Sequence, residues 1–166
     1  VYIGIDKRFA GVIVDRDAFD VFMDVRSHLR DLDAQLVEIH LPDLSEVHAA
    51  WMTIASVELA LSHAATYPAR AEEYGPELRM AIEAGLAQSG VQVARAWQVR
   101  QEFKNRLEAC FEDVDVILSP VFPGRLGLDV NLLDEQTFKD AARAVRLATP
   151  FSVSGSPVLT LPGGLD

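Results

Sequence analysis

A single cysteine, Cys110, is all the thiol that the 166 residues carry, so no disulfide can form within the chain. A reducing, cytoplasmic setting is the expectation that follows. Positive charge is also scarce: 15 Lys and Arg face 25 Asp and Glu, for a net charge of −10. A nucleic-acid surface needs clustered basic side chains, so a DNA or RNA partner is excluded. Acidity of this kind serves solubility. No apolar run approaches the ~20 residues that span a bilayer, and no segment reads as a signal peptide. No membrane association is therefore expected. The four histidines, His28, His40, His48 and His63, show neither H-x-x-x-H nor a Cys–His ligand spacing, so no metal is expected. Repeats and low-complexity segments are absent too.

What remains is an ordinary globular composition, 49% hydrophobic and 24% charged, in a chain long enough to bury one core. The expectation is a single α/β unit over residues 1–166. Val1 to Ile5 alternates around Gly4 and reads as a strand, followed by a loop from Asp6 to Val14. Asp15 or Asp17 can cap a helix whose apolar face is Ala18, Phe22, Val25, Leu29 and Leu32, ending near Asp33. Leu36 to Leu41 reads as a second strand, closed by Pro42. Strand, helix, strand at this spacing is a βαβ unit with parallel strands.

Asp43 or Ser45 can cap the next helix, with Val47, Trp51, Ile54, Glu58 and Leu61 on one stripe, widened by Ala50, Val57 and Ala64. Tyr67-Pro68 ends it. Pro76 suits the first turn of a third helix with Leu78, Ile82 and Leu86 on its apolar side, running to about Gln88. A fourth helix runs from about Gly90 to Glu112 and buries Val93, Ala96, Val99, Phe103, Leu107 and Cys110. Trp51 and Trp97 match core spacing. A buried strand, VDVILSP from Val114 to Pro120, follows. A helix from about Asp134 to Leu147 and a strand from Val158 to Leu161 complete the order.

The last third carries the most specific pattern. D-V-I-L-S-P, from Asp115 to Pro120, precedes T-P-F-S-V-S-G-S-P-V-L-T-L-P-G, from Thr149 to Gly163. This spacing resembles the C-terminal third of amidase-signature hydrolases, and the likeness continues upstream through most of the chain. Family members often carry Asn at Ser152, Cys at Gly163 and Thr at Ser119. The resemblance implies part of a mixed β-sheet covered by helices, and hydrolysis of a C–N amide bond through an acyl-serine intermediate. No cofactor follows from that mechanism.

Acyl transfer needs a nucleophile, a base and oxyanion donors. The resemblance implies a serine nucleophile and a second serine, in a cis peptide, that relays its proton to a lysine. The serines sit in a Gly-Gly-Ser-Ser-Gly-Gly-type run. No such run occurs here, and Lys7, Lys104 and Lys139, the only lysines, do not match the family's lysine motif. No catalytic residue is therefore assigned, and the isolated chain is expected to be inactive. Both ends read as interrupted, so a piece of a longer protein or one half of a split one is expected.

SVSGS, from Ser152 to Ser156, lacks the G-x-S-x-G elbow and has no His near it in sequence. A turn, with Gly155 free to take positive φ and Pro157 fixing the exit, is the simpler reading. The resemblance sets Ser154 and Gly155 beside the catalytic centre. It sets Ser119, Val121 and Phe122 in the pocket wall, although Phe122 could equally be tucked into the core. The resemblance often places a Glu at Glu58, followed by His or another polar residue near His63, and so leaves an acid–base role open. A structural carboxylate paired to a neighbouring Arg or a helix N-terminus is the simpler reading, since a buried carboxylate needs a partner. Cys110 reads as a small buried hydrophobe.

The partners so implied are a small amide substrate and the catalytic N-terminal half, in the same protein or in a partner chain. The stretch YPARAEEYG, Tyr67 to Gly75, departs from the Y-D-G-x-R-Y-G-like segment of glutamyl-tRNA amidotransferase A subunits, which favours a generic amidase. The contrasting reading is a non-catalytic α/β interaction module, forming a homodimer through faces otherwise left uncovered. Exposed apolar surface discriminates between the two.

Overall fold

The computed structural model describes residues 1–13, 16–122 and 145–163. In chain order the elements are β1 (Tyr2–Ile5), α1 (Lys7–Ile13), α2 (Arg16–Asp31), β2 (Gln35–Glu38), α3 (Val47–His63), α4 (Pro76–Leu86), α5 (Gly90–Ala109), β3 (Val116–Ile117) and α6 (Thr149–Ser154). Single 3₁₀ turns occupy Ala71–Glu73 and Cys110–Glu112. The chain divides into two compact units, 1–42 with 104–166, and 43–103.

The first unit is α/β, with a parallel sheet ordered β2-β1-β3. β1 is central because Ile3 and Ile5 are buried and Gly4 leaves room between neighbours. A Cβ on Gly4 would stand 2.9 Å from Ile39 Cδ1 and 3.1 Å from Val114 Cγ2. Ile5, Ala10 and Phe22 form a core cluster with Leu36 and Leu118 against it, so α1 and α2 cover this part of the sheet. The expected parallel βαβ unit is present. Its crossover contains two helices, because the expected loop from Asp6 to Val14 is mostly α1. Asp6 makes that helix: its Oδ1 accepts the N–H groups of Arg8 at 2.9 Å and Phe9 at 3.1 Å, a side-chain cap on the first turn.

α2 ends as expected, with Asp33 at φ 60° closing it. Phe22 is its buried anchor, whereas Leu32, expected on the apolar face, lies past the helix end and is 77% exposed. The run Val158 to Leu161, expected as a strand, has no regular structure. A strand persists only where a neighbouring backbone pairs with it, and no backbone bond ties this run to the sheet among the described residues. Of the expected helix from Asp134 to Leu147, all but the last three residues lie outside the described ones.

The second unit is helical. Ala50 and Ile54 of α3 cluster with Ala96 and Val99 of α5. α4 starts at Pro76, where the absent N–H costs nothing. Ile82 is fully buried, but Leu78 and Leu86, expected beside it, are exposed. The closest approach of α4 is made instead by Gly85, whose missing side chain lets it lie against α3. On α3 the expected cap is replaced by Glu46, with no side-chain cap bond. The Asp43 carboxylate binds the N–H and hydroxyl of Ser45 one turn earlier. The buried stripe of α5, Ala96, Val99, Phe103 and Leu107, is as expected. Trp97, one position off that stripe, is instead 42% exposed under the Arg100 guanidinium, 5.0 Å from its ring centroid. No helix among the described residues is long and apolar enough to cross a membrane.

Candidate functional site

Parallel pairing puts the carboxyl ends of β1, β2 and β3 on one rim of the sheet, the edge at which open α/β sheets bind ligands. Asp6, 5% exposed, organises that rim. Besides capping α1, its Oδ2 accepts the Leu41 N–H at 2.8 Å and faces the Arg8 guanidinium at 3.4 Å. Burial alone would push its carboxyl up. The N–H groups of Leu41 and Phe9, with the side chain and N–H of Arg8, outweigh it and hold the carboxyl below its ordinary value. Beside it, the hydrogen bond from Lys7 and its charge lower the Glu38 carboxyl. Cys110, half-buried, sets its Sγ 3.7 Å from the His40 carbonyl. Burial, then the charge of Asp6, raises its thiol, so little thiolate forms.

Ser119 and Val121 leave this rim half-buried. Ser119 Oγ donates to the Pro120 carbonyl at 3.0 Å. Phe122 is 43% exposed and not tucked into a core. Ser154 and Gly155 form a second group. Pro150 lies in the first turn of α6, and Gly155 at φ 73° caps it, its N–H donating to the Phe151 carbonyl. The expected turn is thus the left-handed end of a short helix. Ser154, 3% exposed, donates from Oγ to the Phe151 carbonyl at 3.0 Å and accepts the Ser156 N–H at 3.3 Å. Its Oγ also lies 2.8 Å from Ser156 Oγ. No base stands among these partners. Among the described residues, no hydrogen bond joins the Ser119 group to the Ser154 group.

On the helical unit, Glu58 is exposed, which removes the need for a buried partner. Leu61, expected on the same stripe, is 76% exposed. Trp51 is half-buried, with its ring 5.8 Å from that of His48. At the end of α3, His63, at a position where the resemblance sets a His or another polar residue, shares hydrogen bonds with Thr66 and Tyr74, a grouping not expected from the sequence. Tyr67 joins it by ring contact and donates its hydroxyl to Glu83 at 2.6 Å. That hydrogen bond is the main reason the Tyr67 phenol is raised, with burial and the Glu83 charge adding to it. Four hydroxyl or imidazole groups within twelve residues were the available signal.

Comparison with known proteins identifies the class. The family model described as Amidase matches residues 1–166. The chain therefore belongs to the amidase family. It is 40% identical over 114 residues to the putative amidase AmiD of Mycobacterium tuberculosis, covering 66% of this chain and 23% of that protein. With an amidase of Pseudomonas putida the identity is 24% over 167 residues, 98% of this chain and 36% of that one. A crystal structure of an amidase shares the fold, with a TM-score of 0.76 at 22% identity, over 98% of this chain and 39% of that chain. The chain thus spans well under half the length of these relatives.

Proposed function

We propose that this chain is the part of an amidase-type hydrolase that supplies sheet core and one wall of the substrate pocket, lined by Ser119, Val121, Phe122, Ser154 and Gly155. The serine and its base belong to polypeptide outside these 166 residues, as an N-terminal half or a partner chain. The observation that carries this reading is the family match over the entire chain, combined with a sequence that holds no Ser–Ser–Gly–Gly run and no matching lysine. The reaction is cleavage of a small amide. Serine Oγ attacks the carbonyl and gives up its proton to the base. The C–N bond then breaks, and the nitrogen leaves with that proton as an amine. Water hydrolyses the resulting ester, releasing the acid and restoring the serine.

Exposed apolar side chains support the reading over a self-sufficient module. Val158 is 64%, Leu159 81% and Leu161 71% exposed, an apolar run that a monomer would normally cover. The test is amide hydrolysis by the purified chain, alone and joined to the upstream sequence of its gene. Alone it is expected to be inactive, and the longer protein active. Turnover by the isolated chain, abolished by Ser154→Ala or Ser156→Ala, would overturn the assignment. Sedimentation of the isolated chain tests the alternative, since a stable dimer without activity in either form would make it an interaction module.

A further inference from the structure

The helical unit carries a titratable group that the pocket wall does not use. His63 ends α3 and is half-buried, with its Nδ1 3.1 Å from the Tyr74 hydroxyl. That hydroxyl is also hydrogen-bonded to Thr66 Oγ1, which in turn lies 3.2 Å from the His63 carbonyl oxygen. The rings are clamped as well: Tyr74 meets His63 edge-on at 5.3 Å and Tyr67 edge-on at 5.7 Å.

Counting hydrogens decides how these contacts are filled. Neutral imidazole, phenol and threonine bring one each. With the imidazole hydrogen on Nδ1, His63 donates to Tyr74, Tyr74 donates to Thr66, and Thr66 donates to the His63 carbonyl, so all three contacts hold a hydrogen. With it on Nε2, Tyr74 must donate to Nδ1 and Thr66 to Tyr74. Thr66 Oγ1 then faces the His63 carbonyl with no hydrogen between two oxygens. That carbonyl already accepts the N–H of Thr66 at 3.0 Å and of Tyr67 at 2.9 Å, so a bare third oxygen is repulsive. The first arrangement also makes the phenol, the more acidic hydroxyl, the donor to the alcohol. A threonine donating to the carbonyl three residues before it is the usual local bond.

We infer that Tyr74 and Thr66 hold His63 as the Nδ1–H tautomer and leave Nε2 as an oriented, proton-accepting nitrogen. No described residue bonds Nε2, and His63 as a whole is only half-buried. A histidine whose Nδ1–H is fixed by a neighbour is the arrangement that orients imidazole as a base. Tyr74 and Thr66 are positioning residues. Protonation at Nε2 leaves their three contacts in place.

Nitrogen-15 spectra of the 166-residue chain, with the imidazole neutral, test the tautomer. The His63 signals are identified by their loss in His63→Gln. Protonated Nδ1 and bare Nε2 are expected, and the reverse assignment or an even mixture overturns the inference. In Tyr74→Phe the ratio of the two tautomers should fall about fivefold, the weight of one ordinary hydrogen bond; no change overturns the role of Tyr74. If that variant does not fold, the wild-type spectrum still decides. Diethyl pyrocarbonate, which acylates a bare imidazole nitrogen, should modify His63 in the folded chain. Protection of His63 while exposed His40 reacts would overturn the accessibility of Nε2.

Discussion

Gly85 lies against the backbone of Ser56 so closely that a Cβ on it would stand 2.0 Å from the Ser56 carbonyl oxygen and 2.5 Å from its carbon. Both are main-chain atoms inside α3, so no side-chain rotation relieves the clash. Gly85→Ala should force α3 and α4 apart. Alanine gains about 1 kcal/mol of helix propensity over glycine, while overpacking of this kind costs about 3 kcal/mol. Net destabilisation is the expected result, read as a lower urea midpoint. An unchanged or raised midpoint would mean that the two helices do not approach this closely.

Gly4 offers a graded contrast. Its hypothetical Cβ meets side-chain ends, Ile39 Cδ1 at 2.9 Å and Val114 Cγ2 at 3.1 Å, which can shift. Gly4→Ala should therefore cost less than Gly85→Ala, about 1 kcal/mol. Ile39→Val deletes the nearest atom. The double variant Gly4→Ala with Ile39→Val should be less destabilised than the sum of the single changes. Strict additivity would show that the two residues do not share this space.

Much of this was legible because it is local or periodic. The α5 stripe, Pro76 at a helix start and Gly155 with positive φ each follow from spacing or from backbone restrictions of one residue type. α1 was hidden because no apolar period announces seven residues, although the Asp6 cap that starts it was present in the sequence. Exposure at Leu61 and lack of pairing at Val158 to Leu161 were not readable, because each depends on which distant chain comes alongside. The Ser119 and Ser154 segments were visible as motifs. The His63–Tyr74 contact was not, since it needs a loop of ten residues to fold back onto α3.

Gly155 sits at φ 73°, where a Cβ crowds the following carbonyl. Gly155→Ala should lose about 1 kcal/mol, and Gly155→Asn less, since Asn tolerates this conformation at helix ends. Thermal midpoints of the two variants give the comparison. Equal losses would point to crowding by neighbours and away from backbone strain.

Asp6 makes stability depend on acidity. Its carboxyl titrates below the ordinary range in the folded chain because the N–H groups of Leu41, Phe9 and Arg8 and the Arg8 guanidinium favour the charge, against the opposing effect of burial. The stabilisation is then complete above the unfolded-state pKa of about 3.9 and is lost as pH falls through the lower folded-state value. Asp6→Asn keeps the size but places an NH₂ or a neutral oxygen toward the Leu41 N–H, 2.8 Å away in the native chain. At neutral pH it should cost about 2 kcal/mol, the weight of hydrogen bonds to a charge. The gap between wild type and variant should begin to narrow below about pH 4, where the unfolded-state carboxyl takes up its proton, and go on narrowing until the folded one does. Urea denaturation of both proteins at neutral and acid pH measures that gap. If it stays constant, the charge is not what binds the segment after β2, at Leu41, to the start of α1, and shape alone does so.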